Sequence, residues 1–214
     1  MAKEKEALVK AALGAQWQRL PGTLKRSFNL RPGSDATVEL RGTMYEIWHS
    51  PVAAPFVYLA RLMGALVPYQ GRGIPIRIEM RTYADDPTFM HWRRIHQFPG
   101  HPDVEFATRM EYIGGGRIVE YVHLGLGMCM DVSVQGSRLT FRSPCYQWKL
   151  FGHRLSIPGW LLLGNGMITE RALSADVFEM FFEINHPLFG QTYRYNGIFT
   201  IEAPDAAPAR YNPD

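Results

Sequence analysis

Cysteine is almost missing from this chain. Cys129 and Cys145 stand alone among 214 residues, in separate segments and without the spacing of a metal or redox motif. A disulfide-built fold is excluded on that count. The N-terminus opens on MAKEKE and not on an apolar leader run, so the expected setting is reducing and cytoplasmic. No window approaches the roughly twenty apolar residues of a membrane span, so stable membrane insertion is not expected. Blocks of one charge sign are missing too: 23 Lys and Arg against 20 Asp and Glu leave a net +3 that is interspersed along the chain, which supports no nucleic-acid partner. The seven histidines show no HExxH or paired-ligand spacing. No GxSxG elbow or Walker loop occurs, and no GxGxxG follows a strand, so neither a metal nor a nicotinamide cofactor is expected. The glycine run Gly114 to Gly116 precedes a strand pattern instead of a helix, which makes it a hairpin turn and not a phosphate cradle.

What the chain has in quantity is large, adaptable apolar side chains. Twelve Phe, 10 Tyr, 5 Trp and 10 Met suit either a packed core or a cavity for a greasy ligand. The length fits one large core, and neither an internal repeat nor a composition shift marks a boundary. One domain is therefore expected over residues 1–202, followed at 203–214 by a disordered tail with three prolines.

Helical patterns occupy the first third. Leu8, Ala11, Ala12 and Ala15 share one side of a pattern over Ala2 to Gln18, which Pro21 and Gly22 end, and a second piece runs from Thr23 to Phe28. Thr37 to His49 reads as a strand with a bend at Gly42. Pro51 to Val67 carries one charge, Arg61, and reads as a helix opened by prolines and closed before Pro68. Apolar nearly all round, it should be buried or cover an opening in the sheet as a plug or lid. A helix lying on a membrane surface would carry a strongly basic face, which this one lacks.

From Ile74 onward the period is two. Strands are expected over Ile74 to Arg81, Phe89 to Phe98, Val104 to Ile113, Arg117 to Leu126, Met128 to Gln135 and Arg138 to Arg142, with Trp160 to Leu163 as a short apolar turn at a rim. Met167 to Ile184 reads as one long strand or two joined by a bulge near Ser174. A final hairpin partner carries Tyr193, Tyr195, Phe199 and Ile201 on one face. The expected fold is mainly β (α+β): a strongly curved antiparallel sheet or barrel of about ten strands, with an N-terminal helix and one buried helix covering the sheet.

Four stretches taken together, ARLMGALVPYQGRGIPIRI, HWRR within its strand, YQWKLFGHRLSIPGWL and NHPLFGQTYRYNG, resemble the bacterial family called domain of unknown function 4166. The resemblance runs over roughly Ala60 to Ile201. It implies no known activity. The family occurs alone and as a C-terminal fusion to saccharopine-dehydrogenase-like proteins. By this resemblance Trp92, Arg94, His186, Pro187, Tyr195 and Gly197 fall on a recurrent pattern, while His96 stands where an aromatic usually sits.

Polar residues on the apolar side of an alternating strand are the candidates for chemistry, because burying them unpaired is costly. Arg94 and His96 share a side with Met90, Trp92 and Phe98. Glu120 sits beside Ile118, Val122 and Leu124, unless the opposite face points inward, in which case Tyr121 and His123 take its role. Glu170 is in phase with Ile168, Phe178 and Met180. Arg94, His96, Glu120 and Glu170 are thus the catalytic candidates, and Trp92, Met130, Phe178, Met180 and Tyr195 the candidate ligand lining. A simpler reading makes Arg94 and a glutamate a buried ion pair that sets sheet register, with His96 satisfied by a hydrogen bond. His186, before Pro187, reads as a turn residue bonding to backbone. Cys129 falls on the polar side of its strand with nothing nearby to activate it. The expected function is binding of a hydrophobic small molecule, lipid-like or polyketide-like, in a barrel. The alternatives are a cofactor-independent isomerase or cyclase acting by acid/base catalysis, and a protein interaction module.

Overall fold

The computed structural model describes residues 6–62 and 66–202, with backbone alone for residues 60–62. The expected start of the first helix, part of the covering helix at residues 63–65, and the tail at 203–214 lie outside the described residues. Eleven antiparallel strands form one sheet: β1 (Thr37–His49), β2 (Ile74–Tyr83), β3 (Asp86–His96), β4 (Val104–Gly114), β5 (Arg117–Tyr121), β6 (Leu126–Gln135), β7 (Arg138–Leu150), β8 (His153–Pro158), β9 (Asn165–Ala172), β10 (Val177–His186) and β11 (Gly190–Ile201). Their order is β6-β5-β4-β3-β2-β1-β11-β10-β9-β7-β8, and β6 pairs with β7 as well. Ten strands therefore close into a barrel, and β8 is an extra strand on the far half of β7. Closure leaves those ten without a free edge.

Local chemistry explains where the elements differ from the sequence pattern. Met167 to Ile184 is a hairpin and not one long strand: the Ser174 hydroxyl accepts from the backbone N–H groups of Asp176 and Val177, at 3.4 Å and 3.2 Å, and reverses the chain. Glu170 pairs with Met180 across that hairpin, so both still face inward. The irregularity of β1 falls between Met44 and Glu46 instead of at Gly42. It switches the inward set from Leu40 and Met44 to Ile47 and His49. Gly42 answers a different need, since a Cβ there would stand 2.2 Å from the carbonyl oxygen of Ile198 on the neighbouring strand. The strand expected over Arg117 to Leu126 stops at Tyr121, because Leu124 and Gly125 adopt positive φ, 61° and 77°, and turn the chain.

The two barrel ends are closed differently. At one, α1 (Leu8–Leu13), a 3₁₀ turn (Gly14–Arg19) and α2 (Gly22–Phe28) insert Leu8, Val9, Leu13, Trp17, Leu24 and Phe28 as a plug. The expected single helix breaks at Gly14, where φ is 52°. The plug is tied by the Thr23 hydroxyl to the carbonyls of Ser174 and Ala175 and by the Val134 N–H to Gln16. At the other end α3 (Ala54–Leu62) crosses the mouth. It buries Val57, but Phe56, Tyr58 and Leu59 remain about half exposed, so of the two expectations, full burial or a cover over an opening, the helix meets the second, as a lid with one face to solvent.

Candidate functional site

Halfway down the barrel, β3, β4 and β5 bring Arg94, Thr108 and Glu120 into one row. Arg94 donates from Nη2 to Glu120 Oε1 at 2.8 Å and from Nη1 to Thr108 Oγ1 at 2.9 Å, and the Thr108 hydroxyl donates to the same Glu120 oxygen at 2.6 Å. The guanidinium carbon lies 4.6 Å from the ring centre of Trp92 and 5.0 Å from that of Phe106. Held on two rings and by two hydrogen bonds, the planar group has one orientation.

Beside this row His96 Nε2 lies 2.6 Å from the Tyr195 hydroxyl, and its Nδ1 lies 3.4 Å from the carbonyl of Val104. Burial drives the imidazole down to about 4, so it is neutral in ordinary buffers. Burial also pushes the Tyr195 phenol upward, which leaves it a hydrogen-bond donor. The neutral tautomer that fits both contacts carries its proton on Nδ1 and accepts from Tyr195.

Glu170 is the contrasting carboxyl. Fully enclosed, it is pushed up to about 8 by burial, against the pull of Arg94 and with a further push from Glu120. At pH 7 it is an uncharged acid. Its Oε2 is buried without a hydrogen-bond partner among the described residues, as is Nε1 of Trp92.

Two cavities flank the row. The upper one, about 190 Å³, lies under the α3 lid and is walled by apolar groups including Phe56, Met128, Ile168, Phe182 and Ile184, with Arg94, Thr108 and Glu120 as its polar floor. Tyr146 and Tyr193 present their rings to it and spend their hydroxyls on the rim, Tyr146 donating to the carbonyl of Gly164 and Tyr193 accepting from the N–H of Val67. Phe151, Trp160 and Leu188, on the separate turns that follow β7, β8 and β10, are all exposed. The lower cavity, about 40 Å³, lies between the row and Phe28 of the plug. Arg94, Glu120, Ile168, Met180 and Tyr195 border both.

Of the residues singled out from the sequence, Arg94, Glu120, Glu170, Trp92, Phe178, Met180 and Tyr195 line one or both cavities. Met130 is fully buried and His96 stands behind Tyr195; neither borders either of these two cavities. The open choice on β5 resolves toward Ile118 and Glu120 inward. Tyr121 lies outside the barrel in a small cluster with Val119 and Cys129. Cys129 is thus buried and not on a polar face, and burial beside Cys145 pushes its thiol up to about 11. His186 does bond to backbone: it sits 2.7 Å from the carbonyl of Trp160 through Nε2 and accepts from the N–H of Leu188 at Nδ1, fastening two rim turns together. Thr108 went unnoticed in the sequence, although it is the polar residue on the inward phase of its own strand. Among the described residues no three His, Cys, Asp or Glu side chains gather as metal ligands, and no helix is long and apolar enough to cross a membrane.

Fold and interior together define a class: a closed ten-stranded antiparallel barrel, plugged at one end and lidded at the other, with an apolar cavity over a polar row. Within that class the chain belongs to the family described as domain of unknown function (DUF4166), which matches residues 20–199. No curated protein and no solved structure matches the chain.

Proposed function

We propose that this protein binds a hydrophobic small molecule, lipid-like or polyketide-like, in the upper cavity, with the Arg94–Glu120 row as the polar floor beneath it. The observation that carries this reading is the cavity itself: about 190 Å³ walled by aromatic, branched and Met side chains under a thin helical lid. Sites for small apolar ligands have this character, mostly greasy with a few placed polar groups. Met128 and Met180 supply flexible walls that adapt to ligand shape. The test is native mass spectrometry of the protein purified from its host, followed by denaturing extraction. A released apolar compound supports the reading, and Met180→Trp, which fills the cavity, then abolishes its retention. A clean apo mass with no thermal shift across lipids and polyketides overturns it and leaves the interaction module as the reading to pursue.

A second reading, a cofactor-independent isomerase or cyclase, is favoured by the uncharged Glu170 acid near the Arg94 cation. In it Glu170 protonates a substrate oxygen or carbon, and the resulting carboxylate takes a proton back from another position of the same substrate, while Arg94 orients the substrate and His96 acts only through the Tyr195 hydroxyl. Turnover of the extracted compound, lost by the hundredfold or more associated with a general acid in Glu170→Gln, distinguishes catalysis from binding alone.

A further inference from the structure

The lower cavity presents two polar atoms that no described residue answers. Trp92 and Glu170 both line it, and the indole Nε1 and the carboxyl Oε2 are both buried without a hydrogen-bond partner among the described residues. The other polar groups of that wall are engaged. Ser27 donates to the carbonyl of Thr23 at 3.3 Å, Tyr195 is taken by His96, and Arg94 by Glu120 and Thr108. Leaving a buried donor or acceptor unmet costs more than a typical hydrogen bond contributes. Two of them on one void is the arrangement of a site whose complement arrives from outside.

We infer that this chamber is the head-group pocket of the ligand held above it, and that the head is a neutral oxygen function, a hydroxyl or a carbonyl, at the end of an apolar body. The inference rests on the reading that the barrel holds an apolar compound. Trp92 has only an N–H to offer and needs an acceptor, whereas a protonated Glu170 offers both an O–H and a carbonyl. A hydroxyl meets both residues at once, accepting from Trp92 and donating to Glu170; a carbonyl takes both donors. An alkane meets neither. A carboxylate brings another anion beside Glu120, while Arg94, the cation of the row, is already matched by that glutamate at 2.8 Å. The space of about 40 Å³ admits roughly two or three waters or a head of similar size, which excludes a sugar or a phosphate ester. Because Arg94, Glu120, Ile168, Met180 and Tyr195 separate the two cavities, an extended ligand that enters past α3 reaches the chamber by displacing the Met180 thioether, the most adaptable of the five.

Displacement of Nile red from the delipidated full-length chain tests this, with dodecanol, methyl dodecyl ketone, dodecanoic acid and dodecane as competitors at pH 7. The alcohol and the ketone are expected to compete at concentrations roughly ten- to a hundredfold below the acid and the alkane, since a buried site built to hydrogen-bond a group discriminates against analogues lacking it. Trp92→Phe and Glu170→Leu should each shrink that advantage over the alkane to about threefold or less; the two variants are independent, so one that does not fold leaves the other as the test. Equal competition by all four, or strongest competition by the acid, overturns the head-group assignment while apolar binding stands. Failure of Nile red and of every competitor to bind overturns the binding reading itself.

Discussion

Glu170→Gln should remove a pH dependence that the buried carboxyl imposes on this fold. In the folded chain the group titrates at about 8, against 4.5 as an ordinary glutamate. Between those values the folded chain keeps a proton that the unfolded chain has released, so stability falls as pH rises, by about 1.4 kcal/mol per pH unit. His96 works in the opposite sense. Folded it titrates at about 4 and unfolded near 6.5, so over that interval the unfolded chain holds a proton that the folded chain refuses, and stability rises with pH. From 4.5 to 6.5 the two slopes cancel; above 6.5 Glu170 acts alone, and the wild type loses roughly 2 kcal/mol by pH 8. Urea unfolding followed by tryptophan fluorescence at closely spaced pH values reads this directly, with the difference between wild type and variant cancelling the surface groups they share. The variant should be flat relative to the wild type's decline above pH 6.5, and below it should show the rise due to His96 unopposed. Parallel curves for the two proteins would refute the argument that Glu170 is a buried neutral acid.

Arg94→Met leaves the Glu120 charge buried without its partner and should cost about 3–5 kcal/mol in urea unfolding. The double variant Arg94→Met/Glu120→Leu should recover most of that, and a double variant no more stable than the single would show that the row is not sealed from water. Tyr195→Phe removes the donor to His96 Nε2 and should cost about 1–3 kcal/mol, measurable as a lowered unfolding midpoint at pH 7. Iodoacetamide at pH 8 should label Cys145 well before Cys129, whose thiol is buried and raised to about 11; peptide mass mapping that finds equal labelling counts against the outer cluster.

Much of the site was legible because strand periodicity is a local property. In β3 alternation alone puts Met90, Trp92, Arg94 and His96 on one face, and all four are buried inside the barrel. The same rule stalled on β5, where Ile118 and Glu120 alternate with Val119 and Tyr121 and both faces are buried, one in the barrel and one in the outer cluster. Alternation carries no signal where both sides are apolar. Glu170 kept its phase with Phe178 and Met180 through a hairpin that the pattern did not disclose, since residues paired across two antiparallel strands share a face.

By itself, then, the sequence determined the period of each strand, the composition of the interior and the polar residues that would have to enter it. These follow from φ/ψ preferences and from the cost of exposing apolar surface, and both act over neighbouring residues. Only the tertiary structure decided which partner each polar group received. A closed barrel sets residues far apart in the chain against one another: His96 meets Tyr195 across a separation of 99 residues, Arg94 takes Glu120, and the Oε2 of Glu170, a residue equally suited by sequence, is left without a hydrogen-bond partner among the described residues. Pairing depends on register and curvature summed around ten strands, and the closing pair, β6 with β7, is what gives that sum its value.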